Sequence, residues 1–68
     1  MPKKIRELKS MLRKAGFTQR AGKGSHTVWA HPKSRDVVVL SGSDGEDAKP
    51  YQQRDVDTAL SKLEDRDG

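Results

Sequence analysis

Two short apolar runs, Phe17-Thr18-Gln19-Arg20 and Thr27-Val28-Trp29-Ala30, flank the segment Gly22-Lys23-Gly24-Ser25-His26. This spacing constrains the chain more than any other feature. Short runs with β-branched and aromatic side chains, joined by a few residues that include glycine, read as a β-hairpin. The two glycines allow a tight turn with positive φ. Strands are therefore expected at Phe17–Arg20 and Ser25–His31, linked by Ala21-Gly22-Lys23-Gly24. Alternation along the second strand sends His26, Val28 and Ala30 to one face and Thr27, Trp29 and His31 to the other. A basic turn thus delivers an imidazole to the start of a strand, beside Lys23 and near Arg20.

The remaining segments supply what such a hairpin needs in order to fold. His31-Pro32-Lys33-Ser34 makes the next turn, because proline cannot continue the ladder. Asp36 then leads into Val37-Val38-Val39-Leu40, a run with strong β preference, which completes a three-stranded antiparallel meander. Before the hairpin, Ile5, Leu8, Leu12 and Ala15 recur at helical spacing, with Met11 beside them. Pro2 suits the start of that helix and Gly16 the position past its end. After the meander, Val56, Ala59, Leu60 and Leu63 form a second helical stripe. Asp55 suits its cap, with an earlier start near Tyr51 as the alternative, and residues 64–68 are expected to fray. Residues 1–68 thus read as one domain, an α+β two-layer sandwich of helix, three-stranded antiparallel sheet and helix.

Size and charge narrow the function classes. A chain of 68 residues with 31% hydrophobic side chains has a thin core, which favours support from a partner or self-association. No cysteine is present, so disulfides and thiolate sites are excluded. No apolar run approaches the roughly 20 residues of a membrane span, and a soluble, cytoplasmic protein with no membrane partner is expected. The basic first helix could lie on a membrane, but the strands after it need its apolar face. Charge is strongly divided. Residues 1–35 carry ten Lys/Arg against Glu7 alone, a balance of +9, while residues 36–68 carry four against nine acidic residues, a balance of −5. The first half suits phosphate; attraction between two solvated faces is the plainer explanation.

The chemistry open to these residues is limited. Ser25 and His26 are adjacent on a strand and point to opposite faces, which rules out a hydrolase dyad. The two histidines, five residues apart, do not make a metal site without ligands from elsewhere. The Ser41–Pro50 loop is rich in Asp, Gly and Glu, but its spacing does not fit a calcium loop. A single histidine beside cations can nevertheless cleave RNA. The ribose 2′-hydroxyl is an internal nucleophile, so a base and phosphate-neutralising cations suffice. Imidazole is suited to the proton transfer, and Lys23, Arg20 and Lys49 are candidates for the cations. Equally, His26 could only begin a strand and hydrogen-bond its own turn. Trp29 reads as packing or partner surface before base stacking, Tyr51 as structural, and His31 as a turn residue.

Five stretches in this order resemble the HicA toxin family: Leu12-Arg13-Lys14-Ala15-Gly16-Phe17, Gly22-Lys23-Gly24-Ser25-His26, His31-Pro32, the valines 37–39, and Lys49-Pro50. The resemblance spans nearly the whole chain. It implies a double-stranded-RNA-binding-like fold and a toxin of a type II toxin–antitoxin system. It also implies a metal-independent, cofactor-free ribonuclease that cuts messenger RNA and is neutralised by a HicB antitoxin. The catalytic histidine of the family matches His26; Lys23, Gly24, Ser25, Arg20 and Lys49 are then expected around the phosphate. The chain departs from the family in its acidic loop, with Asp44, Glu46 and Asp47, which either reduces RNA affinity or marks a divergent subgroup. Tyr51-Gln52-Gln53 reads as a short insertion before the last helix. The rival to the ribonuclease is a non-catalytic RNA-binding or protein-interaction module of the same fold.

Overall fold

Helix α1 (Ile5–Lys14) buries Ile5, Leu8 and Leu12, the stripe that its sequence spacing marks. The computed structural model describes residues 3–24 and 26–67, the side chains of residues 21 and 64–67 excepted. Pro2, expected at the start of α1, lies outside the described residues. The end of the helix is closed by two bonds, Phe17 N–H to the Leu12 carbonyl at 3.0 Å and Gly16 N–H to that of Arg13 at 3.1 Å. Gly16 has φ +99°, the left-handed step that this closure requires.

The start of α1 is capped from the far end of the chain. Ile5 N–H donates to the Glu46 carbonyl at 2.9 Å, and Arg6 N–H to that of Asp44 at 3.2 Å. Two of the four amides that a helix start leaves unpaired are thereby satisfied. Lys4 and Asp47 form an isolated bridge beside this cap, and Ala48 N–H donates to the Lys3 carbonyl at 2.7 Å. Two ion pairs reinforce the contact, Lys4–Asp47 and Lys9–Asp44, each at 2.6 Å. The Lys9 ammonium, hydrogen-bonded to Asp44, holds that carboxyl below the usual carboxylate range. Asp44 and Asp47 are therefore engaged by α1, and the acidic loop is a structural strap.

Strands β1 (Thr18–Ala21), β2 (Thr27–Ala30) and β3 (Val38–Leu40) form an antiparallel sheet in that order. β1 is shifted by one residue from its expected span, and β2 and β3 are shorter than expected. Gln19, Trp29 and Val38 align across the sheet, as do Arg20, Val28 and Val39. The first row belongs to the face under the helices, where Trp29 is wholly buried among Phe17, Val38 and Leu40. A buried indole N–H needs an acceptor, and Thr27 Oγ1 supplies one at 3.0 Å. The Arg13 guanidinium covers the ring, 5.5 Å from its centroid. Trp29 is thus core, as its packing reading requires, and offers no platform to a base. The second row lies on the open face, where Val39 is 46% exposed.

Helix α2 (Pro50–Asp67) begins at the earlier of the two expected starts. Tyr51-Gln52-Gln53 is accordingly the first turn of the helix and not an insertion before it. Lys49 caps this helix, its carbonyl receiving the N–H groups of Gln52 and Gln53 at 2.9 and 3.2 Å. Val56, Ala59 and Leu63 are buried against the sheet, and Leu60 packs at the margin. Tyr51, expected to be structural, stands 53% exposed on the first turn. The helix extends to Asp67.

Candidate active site at the β1–β2 turn

The ladder between β1 and β2 gains one rung beyond the strands, because Gly22 N–H donates to the His26 carbonyl at 3.1 Å. A Cβ on residue 22 would stand 2.8 Å from that carbonyl oxygen and 3.2 Å from the His26 Cβ. Glycine at 22 is required for close approach; the positive φ belongs to Gly24, at +59°. The turn then closes with His26 N–H donating to the Lys23 carbonyl at 3.0 Å. His26 follows the alternation of β2, so it shares the open face with Val28 and with Arg20, which lies opposite Val28.

The imidazole is exposed and is held by its own turn. Its Nδ1 lies 3.0 Å from the Lys23 carbonyl oxygen. A carbonyl only accepts, so in the neutral ring Nδ1 carries the proton and Nε2 keeps its lone pair. The two readings of His26, a turn residue or a base, are therefore compatible: the turn bond selects the tautomer that a base needs. Lys23 and Arg20 are exposed, and among the described residues neither forms an ion pair. Ser25, expected at the phosphate, lies outside the described residues.

Lys49 reaches this end of the sheet by a different route. Thr27 opposes Leu40, so Ser41 emerges from β3 at the end where His26 precedes β2. Gln52 is buried, and its Nε2–H donates to the Ser41 carbonyl at 3.1 Å and to Ser41 Oγ at 3.4 Å. Its Oε1 accepts Lys49 N–H at 2.9 Å. Gln52 thereby fixes Lys49 and the start of α2 to the strand end beside the histidine turn. The structure thus places His26, Lys23 and Gly24 in one turn, Arg20 on the same face, and Lys49 at the same end of the sheet on another element. Gln52 was missed as a positioning residue; its spacing of three from the capping residue is the signal that marks it.

Among the described residues, no group of three His, Cys, Asp or Glu side chains is arranged to hold a metal ion, and no helix is long and apolar enough to cross a membrane. The arrangement can accept a proton at Nε2 and hold an anion with two or three cations. A comparison with known families finds a match, over residues 5–64, to the HicA toxins of bacterial toxin–antitoxin systems. No curated protein matches the chain.

Proposed function

Because the chain belongs to the HicA toxin family, we propose that it is a metal-independent ribonuclease that cuts messenger RNA at a phosphate held beside His26. The observation that carries this reading is the bond from Nδ1 to the Lys23 carbonyl, which leaves Nε2 as a base on an exposed basic turn. Nε2 takes the proton of the ribose 2′-hydroxyl, and the 2′-oxygen attacks the adjacent phosphorus. The bond from phosphorus to the 5′-oxygen breaks, leaving a 2′,3′-cyclic phosphate. The departing oxygen takes a proton from water, and the imidazolium returns its own proton to solvent. Lys23 and Arg20 neutralise the phosphate oxygens as charge builds on them, and Lys49 holds the strand from the α2 side. A HicB-type antitoxin seated over His26 and the basic turn would stop the reaction in the cytoplasm, where messenger RNA is met.

The test is induced expression of wild type beside His26→Ala, with RNA cleavage followed in vitro. A positioned general base contributes roughly 100- to 10,000-fold, so the variant should lose cleavage and growth arrest while keeping RNA affinity. Cleavage by His26→Ala at the wild-type rate would sink the assignment. Growth arrest by both proteins without cleavage favours the non-catalytic binding module.

A further inference from the structure

The open face of the sheet carries a second feature, at the opposite end of the β1–β2 ladder from His26. Thr18, Arg20, Ala30, His31 and Pro32 enclose a shallow hollow of about 300 Å³. Thr18 opposes Ala30 and Arg20 opposes Val28 in the ladder, so the hollow opens on the face that His26 shares. Ala30 lies four residues beyond His26, about 13 Å along an extended strand.

His31, expected on the opposite face by strand alternation, lies past the end of β2 and lines this hollow, where it is fixed in place. Its Nδ1 accepts the Lys33 N–H at 3.0 Å, and its ring lies 5.2 Å from that of Phe17 at an interplanar angle of 59°. Its Nε2 edge sits so close to Gly16 that a Cβ there would be 3.0 Å away. A ring immobilised before any ligand arrives loses little further freedom on binding. Unstacked nucleobases bind on aromatic and guanidinium planes, imidazole among them, and Ala30 and Pro32 add apolar surface beside the ring. Charge separates this hollow from a depression of about 360 Å³ between β3 and α2. That groove is lined by Asp36 and Asp55 together with Arg54 and Lys62, so its charges balance and Lys62 is paired with Asp36, whereas the hollow has Arg20 and no acidic residue.

We infer that the hollow is a base-binding subsite for single-stranded RNA, taking a nucleobase beyond the two that flank the cut against His31 and Pro32 while Arg20 meets a phosphate on the way to it. The inference rests on the ribonuclease reading and adds a second anchor to it. An RNA strand held at both ends of the open face has its register over His26 fixed, so the subsite sets the dependence of cleavage on substrate length and on the base that occupies the hollow.

Two measurements test it. Wild-type protein is titrated with a hexanucleotide made uncleavable by 2′-O-methyl groups, and amide shifts are followed by NMR; no variant needs to fold. Shifts are expected at Thr18, Arg20, Ala30 and His31 as well as at the His26 turn. Cleavage of a hexanucleotide is then compared with that of a dinucleotide too short to reach the hollow, for wild type and His31→Ala. Stacking of one base implies a fall of roughly 5- to 160-fold for the longer substrate relative to the shorter. Shifts confined to the His26 turn, or equal losses on both substrates, overturn the subsite and leave the ribonuclease standing. Shifts at the hollow with no cleavage of either RNA support the subsite and overturn the ribonuclease. No shift anywhere overturns both.

Discussion

Gln52→Ala is the substitution whose cost follows most directly from the structure. The side chain is 3% exposed and is the one buried polar residue among those described. It makes two hydrogen bonds of good length, 2.9 Å from Lys49 N–H and 3.1 Å to the Ser41 carbonyl, and a marginal third at 3.4 Å. At about 1 kcal/mol net for each good bond, the loss is about 2 kcal/mol. The larger penalty of stranded buried groups does not apply in full, because Lys49 is exposed and Ser41 partly so, and water can reach both. A domain of this size is stable by roughly 3–10 kcal/mol, so the change removes a sizeable fraction. The midpoint of thermal unfolding, followed by circular dichroism, should fall by about 10 °C. Gln53→Ala is the control: that residue makes no side-chain hydrogen bond among the described residues, and its effect should stay within about 0.5 kcal/mol. Because Gln52 also ties Lys49 to the strand end beside His26, RNA affinity at low temperature should weaken more than the rate at saturating RNA. If Gln52→Ala unfolds at the wild-type midpoint, the reasoning from these bonds is wrong.

Two further outcomes follow from the strap and the turn. The carboxyl of Asp44 is held low by Lys9, so the stability it contributes is present above the ordinary carboxylate value of about 3.9 and is lost as pH falls through the lowered one. Asp44→Asn should therefore lower the urea midpoint at pH 7, with the two proteins converging at the acid end and at high salt; a difference that grows on acidification would refute this. Gly22→Ala places a Cβ against the His26 carbonyl and Cβ, so the rung must open and the imidazole must move. Cleavage should fall at least about tenfold, the scale of a misplaced catalytic group, and a variant with the wild-type rate would show that the rung is dispensable.

Much of the architecture was legible in the sequence. The stripe at Ile5, Leu8 and Leu12 and the alternation through Val28 and Trp29 depend only on the periods of helix and strand, and both faces came out as expected. The start of α2 was harder to see because its buried stripe opens with a polar residue. Gln52, Val56, Ala59 and Leu63 share the inner face, and a glutamine that will be satisfied by Ser41 looks the same in sequence as one meant for solvent. The structural role of the acidic loop was hidden for a related reason. Its partners Lys9 and Lys4 are 35 and 43 residues away, and no local pattern reveals an ion pair over such a separation. At the candidate site, the histidine and its basic turn were visible because they are contiguous. The tautomer was not, since it depends on which carbonyl the folded turn presents to Nδ1.

The cap on α1 has a consequence for how the chain is made. The amides at the start of the first helix wait for carbonyls at Asp44 and Glu46, so an element made early depends on one made late. A nascent chain that has grown only as far as Leu40 has the histidine and all three strands, but neither the strap nor α2. Loop closure of this range is paid before its contacts return anything, so the start of α1 is completed only after residues 44–46 have been made. The histidine turn likewise gains its support from Gln52 only once α2 has been made.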